Sequence, residues 1–164
     1  LDYWDLEPLV IAATCVDPEA DIAFDDAEWL EEISNDDPAN AYFIAEVDGR
    51  PIGAMQVIDQ ARERTQYWGR DCAPDLCAMD IWIGDATCLN RGYGTKMMSI
   101  AIDRAFADPH VEAIIIDPLN SNTDAHRFYQ RLGFRPIGRR LFEDDACLVH
   151  RLARAHWRFG DTDA

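Results

Sequence analysis

An ionisable residue inside an apolar strand needs a reason, and Asp80 in Met79-Asp80-Ile81-Trp82-Ile83-Gly84 is such a residue. A carboxylate there is a candidate for general acid–base work if it is not simply a satisfied strand residue. Shortly after it, Leu89-Asn90-Arg91-Gly92-Tyr93-Gly94-Thr95-Lys96 puts two glycines one residue apart at the start of an amphipathic segment. Such glycines let the backbone turn and aim several N–H groups at one point beside a helix N-terminus, which suits a pyrophosphate. Arg91 and Lys96 add positive charge in an acidic chain. The pattern lacks the third glycine of a dinucleotide fingerprint and the Gly-Lys-Ser/Thr of a P-loop.

These groups need elements to hold them. Phe24-Asp25-Asp26-Ala27-Glu28-Trp29 reads as a helix start, with Asp25 as N-cap, Glu28 at N3 and Phe24 stapled onto Trp29, running to about Ser34. Tyr42 to Val47 and Ile52 to Ile58 are β-prone segments around Asp48-Gly49, the signal for a type I′ hairpin, with Arg50-Pro51 opening the second strand. Asp59 to Ala78 is polar, irregular and too long for a passive connection, and it carries Tyr67-Trp68. Met79 to Ile83 is a strand with Asp80 and Trp82 on one face and Met79, Ile81 and Ile83 on the other. Met98, Ala101, Ile102, Ala105 and Phe106 then form a helical stripe, followed by the doubly apolar strand Ala113-Ile114-Ile115-Ile116.

Strand, helix and apolar strand make a βαβ unit with parallel strands. Ala125, Phe128, Tyr129 and Leu132 mark a second stripe, capped by Asn122 or Thr123 and stopped at Gly133; strands near Arg135 to Phe142 and Ala146 to Leu152 follow. The expected fold is α/β, a single domain over residues 1–164. Its mixed sheet is predominantly antiparallel around one central βαβ unit, with helices on both faces.

Charge narrows the partners. Against 31 Asp and Glu stand 15 Lys and Arg, a formal net charge of -16, and the first basic residue is Arg50. Nucleic acid binding needs a basic face, so it is not expected. No apolar run approaches the roughly 18 residues of a membrane span. The five cysteines, Cys15, Cys72, Cys77, Cys88 and Cys147, contain no Cys-x-x-Cys pair, which points to reduced thiols in a cytoplasm and to no structural metal. His110, His126, His150 and His156 are scattered and read as structural or surface residues. The basic tail Arg151 to Arg158, with Trp157, could pack on a neighbour or fold back on its own domain.

Arg91-Gly92-Tyr93-Gly94 at a strand-loop-helix junction resembles the pyrophosphate loop of the GNAT acetyltransferase superfamily, Gln/Arg-x-x-Gly-x-Gly/Ala, with Leu89 departing at the first position. Val47-Asp48-Gly49-Arg50-Pro51-Ile52-Gly53 and Phe128-Tyr129-Gln130-Arg131-Leu132-Gly133-Phe134 are also similar to that superfamily. The likeness covers about Tyr42 to Leu152, and the first strand of the fold is not expected within the sequence. Within the superfamily the segment around Asp80, the run Asp117-Pro118-Leu119-Asn120-Ser121-Asn122 and the Tyr67-Trp68 pair resemble the aminoglycoside 6′-N-acetyltransferases in order and spacing.

The resemblance implies direct acetyl transfer from acetyl-CoA to a primary amine of a cationic small molecule, with no metal. Asp80 would position the amine and take its proton, and Tyr129 would protonate the departing thiolate. The Trp82-Ile83-Gly84 backbone would hold the pantetheine arm like an added strand. Arg91, Gly92, Tyr93, Gly94, Thr95 and Lys96 would hold the pyrophosphate, and Asn122 matches a family position that holds the cofactor arm. An aminoglycoside carries several ammonium groups, so its site needs carboxylates and flat aromatic surfaces. Asp80, Asp117 and Asp144 would supply the first, and Tyr67 and Trp68 the second. Other amines remain open: a polyamine, a siderophore hydroxylysine or a protein N-terminus. So does a non-catalytic acyl-CoA-binding module.

Overall fold

The computed structural model describes Val10 and residues 38–159, so the helix expected at Phe24 to Ser34 and the acidic residues before it lie outside the described residues. The described chain runs β1 (Asn40–Val47), β2 (Arg50–Asp59), β3 (Leu76–Ile83), α1 (Tyr93–Ala107), β4 (Ala113–Ile116), α2 (Thr123–Arg131), β5 (Arg135–Phe142) and β6 (Asp145–Ala153). These strands form one six-stranded sheet in the order β1-β2-β3-β4-β6-β5. All neighbours pair antiparallel except β3 and β4. The parallel pair is joined through α1, as expected of the βαβ unit.

Local chemistry sets the turns. Asp48 (φ 52°) and Gly49 (φ 74°) both take the left-handed conformation that a type I′ hairpin demands. A bulge at Ala45/Glu46 sets Pro51 opposite Glu46, at the start of β2 where the ladder loses least by a missing N–H. β3 begins at Leu76, three residues before the expected Met79. Leu76 to Ala78 pair with β4 on one side, and Cys77 and Ala78 also pair with β2 on the other.

Both described helices pack on the same face of the sheet. The α1 stripe of Met98, Ala101, Ile102, Ala105 and Phe106 is buried as expected, against Met55, Met79, Ile114, Ile116 and Leu152, with Tyr129 and Phe134 completing the cluster. Full burial of each large side chain contributes about 1.5–3 kcal/mol. Ala78, Ile115 and Val149 point to the opposite face, where Trp68, Leu119 and Phe142 cover them. Among the described residues this second face is covered by loop and strand side chains; the helix expected at Phe24 to Ser34 lies outside them.

The tail folds back on its own domain. Arg154 donates to the carbonyls of Phe106, Asp108 and Val111 at the end of α1, and Trp157 Nε1 donates to Asp103 Oδ1 at 2.6 Å.

Candidate functional site

The parallel pairing of β3 with β4 covers only Leu76↔Ala113, Cys77↔Ile114 and Ala78↔Ile115. Beyond Ala78 the two strands part. β3 continues to Ile83 paired with β2, and from Asp80 onward its other edge makes no strand ladder among the described residues. The apolar Ile116 ends β4, and Asp117 follows at the carboxyl end of the strand, where open α/β sheets gather ligands.

The N-terminus of α1 stands at the same end of the sheet. Asn90 (φ 57°) and Gly92 (φ 83°) take left-handed conformations on either side of Arg91, and Gly92 is the N-cap. No side chain caps this terminus, so its first N–H groups stay available to an anion. Gly94 packs against Ile83 and Phe128, the atoms a Cβ there would touch at 3.5–3.6 Å. The loop is thereby tied to the end of β3 and to α2. Thr95 and Lys96 are exposed, and the Arg91 guanidinium lies 5.6 Å from the Tyr93 ring centroid.

On the side of the sheet away from the helices, an open groove of about 270 Å³ is lined by Asp80, Asp117, Tyr67 and Trp68, together with Asn40, Gln56, Gln60, Glu63 and Thr65 over a floor of Ile58 and Ala78. Four of the expected substrate residues thus converge. Asp144 does not line it; it sits exposed in the β5–β6 turn.

The aromatic wall is built on Phe142. Tyr67 stacks on that ring (centroids 4.6 Å apart, planes at 6°) and Trp68 meets it edge-on at 5.0 Å. The Arg140 guanidinium lies 4.7 Å from the same ring centroid. Glu63 holds the loop that carries the pair, accepting from Thr65 Oγ1 at 2.5 Å and from Tyr67 N at 3.2 Å. Phe142, Glu63, Thr65, Gln56 and Gln60 escaped the sequence reading. Only Gln56 carried a signal comparable to that of Asp80, a polar residue inside an apolar strand.

Electrostatics distinguish the carboxylates. Asp80 is exposed to the groove, yet protein crowds its carboxyl; that desolvation, with the charge of Asp117 second, pushes it up to about 7. No hydrogen bond or ion pair to its carboxylate forms among the described residues. Burial also raises Asp117, opposed by a 2.7 Å hydrogen bond from the Tyr67 hydroxyl and by Arg140. Tyr129 is 8% exposed, between Phe128 and Phe134. Burial, then the charges of Asp80 and Asp117, raise its hydroxyl well above the ordinary tyrosine value, so it keeps its proton.

Asn122 caps α2, its Oδ1 accepting from Ala125 N at 3.0 Å. His126 and His150 form a buried pair 3.0 Å apart, while His110 and His156 are exposed. The described cysteines are free thiols. Burial pushes Cys77 up to about 12 and Cys147 up to about 11, away from thiolate chemistry. No cluster of three or more His, Cys, Asp or Glu able to hold a metal occurs among the described residues, and no described helix is long and apolar enough to cross a membrane.

The fold is that of the acyl-CoA N-acyltransferases. The crystal structure of aminoglycoside acetyltransferase AAC(6′)-Ib with coenzyme A and kanamycin matches it with a TM-score of 0.80 at 23% identity, over 94% of this chain and 88% of that one. A GCN5-related N-acetyltransferase from Kribbella flavida matches with a TM-score of 0.67 at 18% identity, over 93% and 90%. The chain belongs to the acetyltransferase (GNAT) domain family, whose pattern it matches over residues 3–142. An aminoglycoside N(6′)-acetyltransferase type 1 from Klebsiella pneumoniae is 32% identical over 96 residues, 58% of this chain and 48% of that protein. A kanamycin resistance protein from Rhizobium radiobacter is 34% identical over 76 residues, 46% of this chain and 70% of that protein. The chain spans about half the length of the aminoglycoside N(6′)-acetyltransferases it matches.

Proposed function

We propose that the protein transfers the acetyl group of acetyl-CoA to the 6′-amine of an aminoglycoside by direct attack while both substrates are bound. The observation that carries this reading is Asp80: a carboxylate with no hydrogen bond or ion pair among the described residues, at the mouth of the splay between β3 and β4, in a groove with a second carboxylate and an aromatic wall.

The residues fit acetyl-CoA as a second substrate. Beyond its pairing with β4, the edge of β3 at Ile81 and Ile83 offers backbone groups that an extended pantetheine arm can pair with. The uncapped α1 N-terminus, with Arg91 and Lys96, offers the pyrophosphate N–H groups and positive charge in a chain of net charge -16. Acetyl-CoA supplies the activated acyl group. Within the Trp82-Ile83-Gly84 stretch the Gly84 N–H donates to the Ile52 carbonyl, so the Ile83 N–H, which alternates to the other edge of β3, is the one that would polarise the thioester carbonyl.

Asp80 would bind the ammonium and accept one of its protons, directly or through a water. A carboxylate at about 7 is better matched to that task than one at the ordinary 3.8. The deprotonated nitrogen attacks the carbonyl carbon, the C–S bond breaks, and Tyr129 donates its proton to the departing sulfur. The surplus proton on the new amide nitrogen then returns to the Tyr129 oxygen through water. Asp117 would hold a second ammonium, and Tyr67 and Trp68 would flank the sugar rings.

Asp80→Asn tests the assignment. It should lower kcat for kanamycin on the order of 100-fold or more, with acetyl-CoA affinity by calorimetry unchanged. Unaltered turnover would overturn the role of Asp80.

A further inference from the structure

The walls of the groove differ in chemistry. β3 contributes Asp80 and the residue after β4 contributes Asp117, while β2 and the residue after it contribute neutral amides, Gln56 and Gln60. Gln56 is the direct cross-strand partner of Asp80. On adjacent antiparallel strands such side chains leave the same face with Cβ atoms about 5 Å apart. The orientation of Gln56 is set from behind, because its Nε2 donates to Asn40 Oδ1 at 3.0 Å and to the Tyr42 hydroxyl at 2.8 Å. A side-chain amide has two N–H hydrogens, so both are engaged and Oε1 remains as an acceptor. That oxygen takes no hydrogen bond among the described residues and is not sealed from the groove.

A neutral acceptor next to a charged one sorts the groups of a substrate. The ammonium goes to Asp80, where the attraction is larger. A second cation a few ångströms from the first would be repelled by it, whereas a hydroxyl brings a donor and no charge. We propose that Gln56, clamped by Asn40 and Tyr42, accepts a hydrogen bond from a hydroxyl on the ring that carries the reacting aminomethyl group. The residue thereby selects hydroxylated amino sugars over deoxygenated or simple alkyl amines. This rests on the amine-acetylating reading above and adds to it the chemistry of the neighbouring substituent.

Kanamycin B and its 3′,4′-dideoxy analogue differ only in two hydroxyls on that ring, and steady-state kinetics with both test the inference. The unaltered protein should favour the hydroxylated compound roughly tenfold in kcat/KM. Gln56→Met removes the acceptor at similar length, and should lower kcat/KM for kanamycin B roughly tenfold, mainly through KM, while changing the dideoxy compound less than about twofold. Gln56→Glu, which loses both donors of the clamp and places a second charge beside Asp80, should also lose the preference, and thermal melting reports whether each variant is folded. Equal turnover of the two compounds by the unaltered protein would overturn the inference without any variant, as would equal losses for both in folded Gln56→Met. Turnover without discrimination overturns this inference alone, and no turnover of either compound overturns the proposed function with it.

Discussion

The Tyr67 hydroxyl donates a 2.7 Å hydrogen bond to the Asp117 carboxylate, joining a loop residue to one that follows the central strand β4. The bond crosses the groove wall and favours the charged form of Asp117 against the burial that opposes it. The same ring stacks on Phe142, so the hydroxyl and the ring face each anchor the loop.

Tyr67→Phe keeps the stack and removes the hydrogen bond. Loss of one such bond to a charged acceptor costs about 1.5–3 kcal/mol where it is fully formed in a buried site, and less at this half-open groove. KM for a polycationic amine should rise several-fold with kcat nearly unchanged, measured by steady-state kinetics. A fall confined to kcat would point away from a binding role for Asp117.

The role proposed for Asp80 predicts that activity and stability depend on pH in opposite directions. With its carboxyl at about 7, kcat/KM should fall as pH drops below about 7, because the protonated group neither pairs with an ammonium nor accepts its proton. Stability runs the other way. A native value above the ordinary 3.8 means the folded state binds the extra proton between those two values. The favourable contribution is full below about 4 and is lost as pH rises through about 7. Asp80→Asn should therefore raise Tm at pH 8 and raise it less at pH 5, which melting curves at the two pH values would check.

At Gly53 the backbone of β3 leaves no room for a side chain on β2. A Cβ there would lie 2.4 Å from the Trp82 carbonyl oxygen, a backbone atom that can move only with its strand. Gly53→Ala should destabilise the protein by about 1–3 kcal/mol and weaken acetyl-CoA binding, because it displaces the strand expected to hold the pantetheine arm. Thermal melting and calorimetry give the two readouts.

The features legible in the sequence were those written in short-range chemistry. Asp48-Gly49 specifies its turn by backbone conformation alone, and the α1 stripe declares its buried face by period. The early start of β3 was hidden because Leu76 and Cys77 are held by partners distant in the chain, Ala113 and Ile114. Tyr67 and Trp68 were recognisable as a pair. Their support by Phe142, Glu63 and Thr65 was not, since an irregular loop has no period to reveal which residues meet. Gln56 could have been found by the logic that singled out Asp80, as the one polar residue in Ala54-Met55-Gln56-Val57-Ile58.

The most direct test of acetyl transfer to a 6′-amine is CoA release from acetyl-CoA with kanamycin, spermidine, hydroxylysine and a short peptide, with the acetylated position of any product mapped by NMR. Release with kanamycin and a single acetyl group on its 6′-nitrogen is the predicted result. Acetylation at another nitrogen, or turnover of one of the other amines and not of kanamycin, would contradict it.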